Sequence, residues 1–469
     1  MKKIFIGLMA LLVSMTLFAE RVSVEDAALV ANNFMRAASN SNVKKAVPAK
    51  RMVLKANASV AEPQYYVYEN ADGEGWVIIA ANDAVTPVLA FSETGHFRTD
   101  NMPENIKHWM GHYDKFIKRV EDDGVVSSEE AQAEWKQLRK APPSSAKGNV
   151  VVAPLIKTTW DQDAPFNNLC PGSGSNKSYT GCVATAMAQV MNFWQWPVKG
   201  TGTHTYQPVQ MEYDSQGYPT GNTYILYPGD LTANFGNTTY DWANMKNSYS
   251  GSSTTAQKNA VATLMFHCGV GTEMMYGGDD EGGSGTYTTN YGDWTSSDNA
   301  QNALYKYFGY KKSTGYVRDG YTYQGTKYYD KWTDANWTAM VKAELDLQHP
   351  IMYGGASDEG GHSFICDGYD DYNDATNGNY FHFNWGWSGS NDGWYRLSSL
   401  KPGSGGAGGG GYDFSEDQDV IIGIVPNKPT TTIETVANTD VQTGKVIENG
   451  QLYIIRNNER YSVFGQKIQ

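Results

Sequence analysis

Nucleophilic catalysis needs a side chain that can become an anion, and the chain of 469 residues holds only four cysteines. A catalytic thiol also needs a lowered pKa, supplied by a helix N-terminus or a nearby imidazolium. Cys182 alone has a fitting local sequence. It follows Tyr179-Thr180-Gly181 and opens the run Cys182–Trp194, whose first two turns are mostly small residues. That run reads as a buried helix, with Gly181 allowing close backbone approach and Cys182 at the end where the dipole favours a thiolate. The same end offers a backbone N–H to an oxyanion. A plain core cysteine fits the context equally well, and spacing does not separate the two.

The base must come from eight histidines. His96, His108 and His112 fall near the N-terminus, and His204, His267 and His349 have no evident chemical setting. His362 stands in Gly360-Gly361-His362-Ser363-Phe364, with two glycines before it and an apolar strand after it. His382 lies in Tyr380-Phe381-His382-Phe383-Asn384-Trp385-Gly386-Trp387. It shares a strand face with Asn384, which could orient an imidazole, and Trp385 could cover one. The residues alone allow Cys182 with either His362 or His382.

Other chemistries find less support. No H-E-x-x-H, paired C-x-x-C or EF-hand loop occurs, so no metal site is expected. Asp279-Asp280-Glu281 and Asp370-Asp371 read as solvated loops rather than calcium sites. Gly403–Gly411 lacks the Lys-Ser/Thr of a phosphate loop and reads as a mobile loop. Gly172-Ser173-Gly174-Ser175-Asn176 lacks the final glycine of a serine-hydrolase elbow. With 37 basic and 50 acidic residues the net charge is −13, which argues against a nucleic-acid surface. Four cysteines are too few for a disulfide scaffold.

The elements that must position these residues fall into four stretches. Lys2 and Lys3, the apolar run Ile4–Phe18 and Ala19 form a signal peptide over residues 1–19. The run is shorter than the ~20 residues of a membrane span, and no later run is long enough. Residues 20–147 read as a small α+β unit. Ser23 and Asp26 start a helix, and Tyr65–Tyr68, Gly75–Ala81 and Val88–Phe91 read as strands. Ile106, Trp109, Met110, Tyr113, Phe116, Ile117 and Val120 share one face of a second helix. Residues 121–150 read as an exposed, cleavable linker. Residues 148–426, rich in Gly, Tyr, Trp and Asn, read as one large domain. Residues 427–469 read as a Pro/Thr linker and a terminal hairpin over Gln451–Ile455 and Tyr461–Phe464. The richness in Tyr, Trp and Gly adds a β-rich expectation with many turns.

The segments Tyr179–Ala186, Gly361–Phe364 and Phe381–Gly389, in this order, resemble the streptopain family of papain-like cysteine peptidases. Trp160-Asp161-Gln162 with Pro165-Phe166-Asn167 is similar to that family's opening motif. Gly403–Gly411 and Val420–Ile424 are similar to its active-site loop and closing strand. The resemblance implies an α+β fold: a helical part with a central cysteine helix, an antiparallel sheet part, and a small α+β inhibitory prodomain in front. It implies Cys182 as nucleophile, His362 as base, and His382 as structural. It gives Gln162 to the oxyanion beside the Cys182 N–H, Trp385 to shielding His362, and Asn384 to orienting it with less weight. It places Gly361 on the substrate cleft and Ser284 on the opposite wall. The acidic insertion Asp279–Glu281 departs from the family pattern, as do the three further cysteines.

The expected function is therefore a secreted or cell-surface cysteine endopeptidase made as a zymogen. It needs no cofactor and no metal. Its partners are protein or peptide substrates and its own prodomain, with no nucleic acid and no membrane span, and the mature form is a monomer. The tail resembles the end of a C-terminal sorting domain of the Bacteroidetes secretion system. Two other classes remain: a catalytically silent surface-binding protein with the same fold, and a papain-like acyl transferase that resolves the thioester with an amine.

Overall fold

Alternation along a few central strands organises the protein. Ile351 and Tyr353 contribute to one buried apolar cluster and Met352, between them, to another; Phe364 and Cys366 flank Ile365 in the same way, and Val420 and Ile421 divide likewise. A strand whose neighbouring side chains are buried on opposite faces must lie between two layers. The computed structural model describes residues 20–39, 52–56, 62–99, 102, 104–140, 150–214, 219–278, 283–323, 326–357, 360–370, 380–397, 418–428, 443–448, 451–456, 459–462 and 467–468.

The N-terminal unit has α1 (Val24–Ser39), β1 (Met52–Ala56), β2 (Tyr65–Asn70), β3 (Trp76–Ala80), β4 (Val88–Ser92), α2 (Glu104–Asp122) and α3 (Glu129–Lys140). After β5 (Val150–Val152) comes a largely helical region with α4 (Cys182–Trp194), α5 (Thr255–Gly271) and α6 (Ala300–Tyr307). Small ribbons join β6 (His204–Tyr206) to β9 (Leu231–Ala233) and β7 (Gln210–Tyr213) to β8 (Pro219–Tyr224). Then follow β10 (Thr314–Val317), a ribbon of β11 (Tyr321–Tyr323) and β12 (Thr326–Tyr329), and α7 (Asp334–Asp346). The last large strands are β13 (Ile351–Ser357), β14 (Gly360–Asp370), β15 (Tyr380–Asn384), β16 (Gly393–Arg396) and β17 (Gln418–Ile422).

An 11-stranded sheet runs β1-β2-β3-β4-β16-β15-β14-β13-β17-β10, with β5 also paired to β14. All its pairings are antiparallel. The mixed helical and antiparallel architecture is the α+β fold expected. The junction of β4 with β16, Trp394 opposite Phe91 and Tyr395 opposite Ala90, carries the sheet across from the N-terminal unit. One apolar cluster follows it, joining Trp76, Phe91, Trp109 and Tyr113 to Tyr353, Phe364, Phe383 and Tyr395. The other cluster packs α4 and α5 against the opposite face.

Two expectations need correction. Within the expected linker Glu129–Lys140 is a helix, because Ala131, Trp135 and Leu138 recur at helical spacing and are buried, while residues 141–149 lie outside the described residues. Trp135 Nε1 donates to Val85 O at 2.7 Å, and Asn33 Nδ2 to Leu138 O at 2.6 Å. The high charge of the segment hid this stripe. Asp370, read as part of a solvated loop, is buried at the end of β14. Asp279–Glu281, Asp371, Gly403–Gly411 and residues 1–19 lie outside the described residues. A second unit begins at Lys428. It is a four-stranded antiparallel sheet of Thr443–Glu448, Gln451–Arg456, Glu459–Ser462 and Lys467–Ile468, in which the second and third strands pair where a hairpin was expected.

Candidate active site

Gly181 decides how Cys182 is presented. Its φ of 86° is left-handed, and a Cβ there would lie 2.8 Å from the Met274 thioether and 3.0 Å from Ser284 O. Only glycine combines that turn with that approach. The chain then enters α4, whose residues Cys182 to Met191 are all buried. Thr185 Oγ1 bonds both Gly181 O (3.0 Å) and Thr180 Oγ1 (2.9 Å), pinning the helix start.

The thiol meets β14. Ser363 N donates to Cys182 Sγ at 3.3 Å, so the residue directly after His362 touches the thiol. Burial pushes the Cys182 thiol above its ordinary value, and the N–H groups of Ser363, Val183 and Cys182 itself oppose that. His362 shares a strand face with Phe364, on the side where α2 packs. The His108 ring of α2 lies 6.2 Å from that of His362, and His108 Nε2 is 2.8 Å from His112 Nε2. Burial, with the Lys115 charge, lowers His112 to about 4.

His382 has a different environment. Its Nδ1 lies 2.6 Å from Asp367 Oδ1, while Asp367 Oδ2 accepts from Ile156 N at 2.8 Å. Burial alone would lower this imidazole, but the Asp367 carboxylate wins and raises it.

The remaining candidates lie on β14 or bond to segments next to α4 and β14. Gln162 is 5 % exposed, and its main-chain carbonyl accepts from Thr180 N at 3.0 Å, tying its backbone to the segment that leads into Cys182. Trp385 is buried, its ring 4.5 Å from Phe364. Ser284 Oγ donates to Tyr179 O at 2.8 Å and accepts from Gly277 N at 3.0 Å, and its main-chain oxygen lies close to Gly181. Gly361 sits in β14 opposite Ala356. Asn384 is placed otherwise than an orienter of His362 would be. Its Oδ1 accepts from Gln189 Nε2 and Gly386 N, both at 3.1 Å, and its Nδ2 donates to Thr158 O at 2.8 Å. The amide locks α4 to the end of β15. Gln189, which also accepts from Thr158 Oγ1 at 2.6 Å, was missed in the sequence reading, although a glutamine inside an apolar helix is a signal.

The thiol at the start of α4 touches the strand that carries His362, and comparison with known proteins gives the chain a family. The model of the Peptidase C10 family matches residues 160–395. The chain belongs to that family. A second model, Spi protease inhibitor, matches residues 19–117. The chain is 33 % identical over 439 residues to the thiol protease/hemagglutinin PrtT of Porphyromonas gingivalis, covering 91 % of itself and 44 % of that protein. It is 31 % identical over 371 residues to streptopain of Streptococcus pyogenes serotype M1, covering 77 % of itself and 80 % of that protein. Its fold is similar to a solved fragment of Prevotella intermedia prointerpain A, with TM-score 0.58 and 33 % identity. That match covers 81 % of this chain and all of the fragment. Among the described residues, no helix is long and apolar enough to cross a membrane.

Proposed function

We propose that the chain is a cysteine endopeptidase made as a zymogen. The observation that carries this is the 3.3 Å contact between Ser363 N and Cys182 Sγ, which brings the helix-start thiol beside the strand of His362. In the proposed reaction His362 takes the thiol proton and Cys182 Sγ attacks the peptide carbonyl. The resulting oxyanion is held by the Cys182 N–H and the Gln162 side chain. His362 then returns the proton to the leaving amine, and water attacks the thioester with His362 again as base. Trp385 shields the imidazole.

Residues 20–147 hold the enzyme latent. Helix α2 places Trp109 against Tyr353, Phe364, Phe383 and Trp385, and His108 next to His362. Helix α2 covers the face of β14 that carries His362 and Phe364, and its departure opens that face to water and substrate. Residues 1–19 direct export to the exterior or cell surface, and residues 427–469 serve as a sorting tail.

The test is Cys182→Ala together with mass-spectrometric mapping of E-64 on the wild type. The variant is expected to lose peptidase activity and remain full length, with E-64 found on Cys182. Residual activity above about a thousandth of wild type overturns the nucleophile. An intact site that binds but never cuts favours the silent surface protein. Products joined to added amines favour the acyl transferase.

A further inference from the structure

The loop after Trp385 carries a polar side chain that the chemistry above does not use. Asn391 is 1 % exposed and has a φ of 63°, a left-handed conformation that asparagine tolerates. Its carbonyl accepts from Trp385 Nε1 at 3.1 Å and from Tyr395 OH at 2.7 Å. Its carboxamide holds the main chain of Arg98. Arg98 N donates to Asn391 Oδ1 at 2.8 Å, and Asn391 Nδ2 donates to Arg98 O at 3.1 Å. One carboxamide thus takes both main-chain groups of one residue, as a neighbouring antiparallel strand would. These bonds read no side chain, so other residues can stand where Arg98 stands.

The loop is tied to the candidate site from both ends. Ser388 N donates to Trp160 O at 3.1 Å, and Ser388 Oγ donates to Asp161, the neighbour of Gln162. Trp385, bonded to Asn391, rests on Phe364, which shares the strand face of His362. In the proposed reaction His362 hands its proton to the leaving amine, so the leaving half of the substrate must run past His362 and Trp385.

We propose that the Asn391 carboxamide is a main-chain-binding subsite for the leaving half of a polypeptide substrate, taken by Arg98 in the latent chain and opened when residues 20–147 depart. This rests on the peptidase reading. Asn391→Gly removes the carboxamide, keeps a residue suited to a φ of 63°, and retains the carbonyl that holds Trp385 and Tyr395. Wild-type and variant enzymes are activated from the full chain, and active centres are counted by E-64 titration. Each receives a peptide extended several residues beyond the cut, and an analogue in which an aminocoumarin replaces that half.

The ratio of kcat/KM, extended over truncated, is expected to fall about tenfold in the variant, the size of effect two hydrogen bonds give. A ratio within about twofold of wild type overturns the proposal, even when both activities fall together, because a merely structural carboxamide would affect both substrates alike. A wild type that takes no E-64 and cuts neither peptide overturns the peptidase reading, and this subsite with it.

Discussion

Replacing Trp109 with alanine should turn a latent chain into a leaky one. The indole is 3 % exposed on α2, and its ring lies 5.0 Å from Phe383, 5.9 Å from Phe364, 6.2 Å from Trp385 and 6.4 Å from Tyr353. All four rings belong to the segment from β13 to the turn after β15, so the loss falls largely on the docking of α2. Truncating a buried tryptophan costs roughly 3–5 kcal/mol. If latency is a closed–open equilibrium, the open fraction rises by roughly 150- to 5000-fold. The assay is the rate at which E-64 labels the intact, uncut chain, followed by mass at nanomolar protein and early times, before chains cut one another. We expect at least a hundredfold faster labelling. A rise of less than tenfold, in a variant whose circular dichroism is unchanged, would refute the idea that this indole closes the cleft.

Three further outcomes follow from the geometry. His362→Ala should abolish turnover per folded molecule, whereas His382→Ala should keep turnover and lose roughly 3–5 kcal/mol in denaturant titration, because it strands the buried Asp367 carboxylate; the reverse pattern would exchange the two roles. Gln162→Ala should lower kcat by roughly 10²–10³ with a smaller change in KM, and a pure KM effect would make it a binding residue. Burial pushes the Asp419 carboxyl up to about 7, with a weak opposing bond from Thr289. The folded chain therefore holds that proton more tightly than the unfolded one. The stabilisation is full below the ordinary carboxylate range and is lost as pH rises through about 7. Asp419→Asn should flatten this decline between about pH 4 and pH 8, read as denaturation midpoints, and an unchanged slope would contradict it.

Local chemistry made part of this protein legible in its sequence. A glycine before a cysteine, followed by two turns of small residues, describes a helix start buried close to other backbone, and α4 begins at Cys182. Alternating apolar residues around His362 and His382 describe strands, and β14 and β15 hold them. The apolar stripe from Ile106 to Val120 describes α2. Each pattern lies within a dozen or so residues, where side-chain period and backbone geometry determine one another. Strand pairing and the partners of polar side chains join residues hundreds apart, and no local period records them. Packing alone decided that β4 meets β16, so that one sheet and one core join the N-terminal unit to the rest. Packing alone decided that Ser363, rather than the strand of His382, touches the thiol. It also spent Asn384 on Gln189, Gly386 and Thr158, and set Asn391 against Arg98. A carboxamide has the same chemistry wherever it falls in a sequence; its role comes from the donors and acceptors that the fold brings within about 3 Å of it.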